Sequence, residues 1–300
     1  MKKIFLPFII AVCFGGVFVA GRYLADTISP LQMSWLRYCF ATALFVPIIW
    51  IKRAELYRLS WRTLAGISLG ALLSTVLYHL LFYAALHYSS ATNIALIHAI
   101  NPLLTLGLSA VLLGERATVR SIGGFVLAAV GVVLVVSHGS IATLTSLQIN
   151  YGELLMLIAT TVVALYAILT KYLAPRVSAP LYTALIFLFG WIMLTALLPI
   201  EYDNFVFHQL SLNSWLAIAY MGIGSSGIGY YLYVTSTRTV GPSLTALGVY
   251  SFVPVVVAVL EMVVLQTNLS WPQFLGFGLI VTGMIIALLK KIQPRAILKP

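Results

Sequence analysis

The sequence predicts an all-α integral membrane protein, with ten transmembrane helices arranged as two inverted five-helix repeats. Three observations carry this. Of the 300 residues, 61% are hydrophobic and only 8% charged, with a mean hydropathy of +1.04, which leaves too little polar surface to enclose a water-soluble core. Ten continuously apolar runs each have the roughly 20 residues, at about 1.5 Å apiece, needed to cross about 30 Å of hydrocarbon. The chain also matches itself at a shift of 152 residues, which lays Pro102 on Pro254, Gly124 on Gly276, Gly131 on Gly283, Ser74 on Ser226 and Tyr78 on Tyr230. Five spans per copy is an odd number, so the second copy enters the membrane upside down relative to the first.

The first span runs from Ile4 to Gly21. Lys2 and Lys3 ahead of it imitate a signal peptide, but the apolar run is too long for one. It also ends in Arg22-Tyr23-Leu24, which resembles Lys171-Tyr172-Leu173 at the end of the sixth span, so no cleavage is expected. Spans two to five follow at Leu31 to Ile51, Leu64 to Leu86, Ala91 to Leu113 and Val119 to Val136. The second copy supplies Gly152 to Thr170, Leu181 to Ile200, Leu212 to Val234, Ser243 to Leu265 and Trp271 to Leu289. None of these runs alternates every second residue, as barrel strands would. Residues 1–138 form the first repeat, 139–150 an outer linker, and 151–300 the second repeat with a short cytoplasmic tail. No connection is long enough to fold as a soluble domain.

Charge tests the topology independently. With both termini in the cytoplasm, all of the seventeen lysines and arginines except Arg22 and Arg37 lie inside, as the positive-inside rule requires. The outer connection after span seven carries Glu201 and Asp203. The net charge of +10 is thus topological, and nucleic acid is not an expected partner. Cys13 and Cys39 fall inside spans and belong to no metal or redox spacing. No metal site, cofactor motif or enzyme constellation is expected, and a bacterial-type inner membrane is the expected location.

The segments Ser29-Pro30-Leu31 and Trp35-Leu36-Arg37-Tyr38, then Asn101-Pro102-Leu103 and Leu113-Gly114-Glu115-Arg116, resemble the EamA family of drug/metabolite transporters across essentially the whole chain. The second copy departs from it, with Leu265-Gln266-Thr267-Asn268 where the first has Leu113-Gly114-Glu115-Arg116. The resemblance implies secondary transport, often export of amino acids or other small metabolites. Inverted repeats imply the same alternating-access mechanism. An importer of a vitamin or nucleoside-like compound, or more remotely a lipid enzyme, channel or receptor, are the competing readings. The expected partners are a small-molecule substrate and the lipid bilayer, with a coupling proton left open.

Candidate site residues gather near mid-membrane. Tyr78, His79, His98, Asn101, Tyr166, Tyr230, Tyr231 and Tyr250 combine aromatic faces for an apolar or cationic moiety with groups that bond polar ends. His79 and His98 could each carry a proton, yet neither has a carboxylate at a local helical spacing, so a structural or ligand-bonding role is favoured. Pro102 and Pro254 lie about halfway along their helices, where each frees a backbone carbonyl and predicts a pair of matched kinks serving as hinges. Arg37 and Glu261 are charges inside the hydrocarbon at compatible depths. They are expected to pair, or one of them to meet the substrate's charged group. Glu153 is expected to favour the start of its helix, and Glu115 with Arg116 to anchor the cytoplasmic end of the fourth span. The small residues from Gly222 to Gly229 are expected to let helices approach closely.

Overall fold

The protein is described by a computed structural model in which residues 2–113, 119–140, 150–173, 176–204, 207, 210–239 and 242–288 are defined. Glu115, Arg116 and most of the expected linker lie outside these residues. In the first copy the helices are α1 (Lys2–Leu24), α2 (Pro30–Ile51), the single turn α3 (Arg53–Leu56), α4 (Trp61–Ala71), α5 (Tyr78–Tyr88), α6 (Ala91–His98), α7 (Asn101–Leu113) and α8 (Val119–Val136). The second copy contains α9 (Tyr151–Leu173), α10 (Ala179–Leu197), α11 (Leu212–Ala219), α12 (Tyr230–Thr239), α13 (Pro242–Val264) and α14 (Trp271–Leu288). Six of the resulting rods are long and apolar enough to span a membrane, and shorter apolar helices accompany them. Their outward faces carry exposed Val111, Val126, Val263 and Phe274, an apolar coat suited to lipid rather than water.

Serines set where several of these helices begin. The side chains of Ser29, Ser60, Ser90 and Ser211 accept the backbone N–H groups of Gln32, Thr63, Asn93 and Ser214, satisfying donors that the first turn leaves orphaned. Pro30 occupies the start of α2, where the missing N–H costs nothing.

Helix contacts respect the repeat. α1 lies on α13 as α9 lies on α6 and α7; α1 meets the Tyr220–Gly229 segment as α9 meets Leu72–Leu77; α2 pairs with α10 and α8 with α14. The α8–α14 crossing is close enough to require glycine. A Cβ at Gly283 would sit 2.4 Å from the Gly124 carbonyl oxygen, and one at Gly131 would sit 2.8 Å from that of Gly276. Numbering rises along one helix as it falls along the other, so these two corresponding helices run antiparallel.

α2 and α10 are tied the same way at both ends. On the predicted cytoplasmic face the Glu55 carboxylate accepts from the Ser178 backbone N–H at 2.6 Å and its hydroxyl at 2.8 Å, at the start of α10. Facing the predicted exterior, Glu201, just after α10, accepts from the Ser29 hydroxyl and from Gln32 Nε2 at 3.2 Å, at the start of α2. The Ser178 amide holds the Glu55 carboxyl below its ordinary value, its hydroxyl adding to the effect. A depressed native value stabilises the fold above the unfolded value of about 4.3 and loses that contribution as pH falls through the native one. Glu55→Gln is therefore expected to lower the thermal midpoint at neutral pH, by the about 0.2–1 kcal/mol of a solvent-screened charge. Thermal unfolding of both proteins between pH 7 and pH 3 checks this; the difference should shrink toward the acid end.

Between α4 and α5 the segment Leu72–Leu77 is π-helical, and between α11 and α12 so is Tyr220–Gly229. Shifted by 152, Leu77 lands on Gly229, so both segments end one residue before a matched tyrosine, Tyr78 or Tyr230. Buried positions along Trp61–Tyr88 step by four throughout: Thr63, Ile67, Ala71, Thr75, His79, Tyr83. Such a stripe drifts about 40° per step around a pure α-helix, and the extra residue of a π turn corrects that drift.

The rod made by α6 and α7 differs from its repeat partner, α13. It breaks at Ala99 and Ile100, so that Asn101 and Pro102 open a new helix, whereas α13 continues unbroken through Pro254. Proline suits a helix start, and asparagine before it is a natural entry residue; the matched Val253 offers no such polar entry. The expected pair of kinks is thus an interruption in the first copy alone.

Candidate functional site

Two apolar clusters build the interior. One joins α1, α5, α6, α9 and α13; the other joins α2, α4 and α10. Where they meet lies a cavity of about 250 Å³, slightly below the usual range for ligand pockets, about 300–1,000 Å³. At about 30 Å³ per water it holds about eight waters, or a compact organic molecule.

Matched residues from the two copies face each other across it. Tyr78, His98, Tyr230 and Tyr250 all line the cavity, and the 152-residue shift that lays Tyr78 on Tyr230 also lays His98 on Tyr250. The His98 ring stands 5.6 Å from Tyr78 and 5.5 Å from Tyr250 between centroids. Asn101 does not line the cavity but donates to the Tyr250 hydroxyl at 2.8 Å, and the Tyr230 hydroxyl lies 2.7 Å from Thr183 Oγ1. His79 bonds the Ser74 carbonyl through Nδ1 at 2.8 Å. In that tautomer its Nε2 is left to accept from the Tyr38 hydroxyl at 3.4 Å. Tyr166 closes one side.

Three expectations are corrected. Tyr231 is 69% exposed and points away, because successive helical residues are turned by about 100° and Tyr230 takes the inward direction. Pro254 borders a lipid-facing groove instead of the cavity. Arg37 and Glu261 do not pair. Glu261 sits against the start of α6, accepting from Ala91 N at 2.9 Å, Thr92 N at 2.7 Å and the Thr92 hydroxyl. There the positive end of a helix replaces the cation. Glu153 likewise does more than start its own helix. Fully buried, it accepts from Asn93 Nδ2 at 2.6 Å and lies 3.5 Å from His138 Nε2. Two carboxylates therefore grip the beginning of α6.

Arg37 is 8% exposed and reaches the cavity wall. Its Nε and Nη2 donate to Ser226 Oγ, each at 3.2 Å, and Nη1 donates to the Tyr83 hydroxyl at 2.9 Å. The side chain gets there because α2 and the second π segment nearly touch: a Cβ on Gly222 would lie 2.8 Å from the Arg37 carbonyl oxygen. Phe14 and Phe18 of α1, Tyr38 and Phe187 complete the walls, and none of these was singled out from the sequence. One signal existed, since Tyr38 directly follows the intramembrane arginine.

A family model described as the EamA-like transporter family matches this chain twice, over residues 1–137 and 150–289. The chain belongs to the EamA family. Among EamA and other transporter relatives, it is 28% identical to the uncharacterized transporter YyaM of Bacillus subtilis (strain 168), over 91% of this chain and 89% of that one. It is 26% identical to an uncharacterized transporter of Archaeoglobus fulgidus, over 97% and 100% of the two chains. A solved crystal structure shares the fold at a TM-score of 0.65 and 19% identity, covering 98% of this chain and 99% of the other. This EamA protein is accordingly a multi-pass membrane transporter, and its central cavity is the candidate substrate site.

Proposed function

We propose that the protein is a secondary-active, alternating-access carrier with ten spans in two inverted repeats. Both termini are cytoplasmic, the location is a bacterial-type inner membrane, and the direction is export of a small amphipathic metabolite such as an amino acid. The observation that carries this reading is the cavity at the seam of the copies, walled by residues that the repeat relates in pairs. A site shared equally by two oppositely oriented units can be reached from either side by rocking one against the other. The antiparallel α8–α14 and α2–α10 pairs support the inversion. Transport by this route draws on a gradient or on exchange, and a proton carried by His79 or His98 is one form of coupling. The break before Pro102 supplies a hinge beside the site.

Counterflow in proteoliposomes loaded with a metabolite panel tests the proposal. Saturable exchange of at least one compound is expected. Tyr78→Ala and Pro102→Ala should each slow it by about tenfold, equivalent to about 1.4 kcal/mol. Folded protein that exchanges no compound overturns the carrier reading.

A further inference from the structure

From the charge and hydrogen bonding of the cavity, and resting on its reading as the transport site, we infer that the substrate presents a carboxylate to Arg37 and needs no ammonium group. A guanidinium carries five N–H donors and is always protonated. Three of the Arg37 donors are used, all on neutral hydroxyl oxygens of Ser226 and Tyr83. One N–H on each terminal nitrogen is left for a ligand. Among the described residues no carboxylate lies within ion-pair distance of Arg37, and none lines the cavity. Glu261, the acid at a compatible depth, is committed to the start of α6.

A buried charge with no counter-ion is costly. The Tyr38 ring, 5.6 Å from the guanidinium, offsets only part of that through its π face. An entering anion supplies the remainder. One positive charge and two free donors match the charge and the two oxygens of one carboxylate; a phosphate dianion would bring a second charge with no partner. The rest of the wall is mostly aromatic and aliphatic, including Phe18, Phe82, Ile186 and Val253, with the uncharged hydroxyls of Ser74, Thr75 and Ser225 and the His79 and His98 rings among them, so the body of the acid is largely apolar. An ammonium group would find aromatic faces here but no acid. Amino acids can therefore enter by their carboxylate, while simple amines have nothing to hold them.

Three acids of graded size serve as probes: butyrate, 3-phenylpropionate and indole-3-acetate, each beside its primary amide, with phenethylamine as the cation. Protection against thermal unfolding and counterflow are both read. At least one acid should act at concentrations about tenfold or more below its amide, the scale of a charge-assisted hydrogen bond, and phenethylamine should have no effect. Arg37→Gln should bring the acid and amide together, whereas Arg37→Lys should keep them apart. A purely structural arginine would weaken every compound and leave the acid-to-amide ratio unchanged. Wild-type selectivity carries the test even where a variant fails to fold. Acids that protect without exchanging overturn the carrier reading and support this one. Amides or the amine that exchange as well as the acids support the carrier and overturn the carboxylate. Folded protein for which no acid outperforms its amide also overturns it.

Discussion

Gly283→Leu is expected to unfold the protein's α8–α14 pair, while the same change at Gly278, in the same helix, leaves it intact. A Cβ at Gly283 would meet the Gly124 carbonyl oxygen at 2.4 Å and the Ala128 nitrogen at 2.8 Å. Both are backbone atoms of a helix and cannot rotate aside. Gly278 has nothing within 4 Å of its Cβ position. Overfilling a well-filled contact typically costs about 1–3 kcal/mol, and backbone collisions belong at or above the top of that range. Membrane helices rely on small residues for such contacts, since lipid gives them no hydrophobic drive to associate. Cys13 and Cys39 are both free and partly buried, so a thiol-reactive fluorogenic dye reports the thermal midpoint in detergent. Equal midpoints for the two variants would refute the interface as described.

Glu261→Ala should be comparably damaging for a different reason. The carboxylate accepts two backbone N–H groups and one hydroxyl at the start of α6 while only 3% exposed. Alanine leaves three donors without a partner, at about 1–3 kcal/mol for each unsatisfied group, less what the helix recovers by fraying. Gln retains one acceptor oxygen and should fall between wild type and alanine. The same dye assay orders the three proteins. A midpoint for Glu261→Ala within error of wild type would show that the start of α6 does not depend on this carboxylate.

Apolar length and turn residues made the rods legible to within a few residues. Pro30–Ile51 begins one residue before the reading and ends with it, and the helix that closes at Val264 ends one residue before the reading. The matched Tyr78 and Tyr230 were legible because the repeat preserves them, and both reach the cavity. Arg37 and Glu261 mark the limit. Hydropathy fixes how deep a residue lies but not the direction it faces around its helix, so equal depth suggested a pair that the α2–α10 and α6–α13 neighbourhoods keep apart. The π segments were hidden for a related reason. Leu72–Leu77 and Tyr220–Gly229 are as apolar or as small as an ordinary spanning helix, and no residue type announces a wider turn. Asn101-Pro102 was visible as a kink; that Val253-Pro254 would stay continuous was not.

Both π segments have a consequence for phase. Holding one residue more than the α-helix needs, each turns everything beyond it by about 100°, so a helical wheel drawn through Leu77 or Gly229 assigns the wrong face to the second half of its rod. Loss of a single residue inside such a segment would act as a rotation, moving Tyr78 with His79, or Tyr230, around the helix axis while leaving every side chain chemically unchanged. Length, as much as side-chain identity, is therefore a coordinate of the candidate site, and it is set at the same place in both halves of the chain.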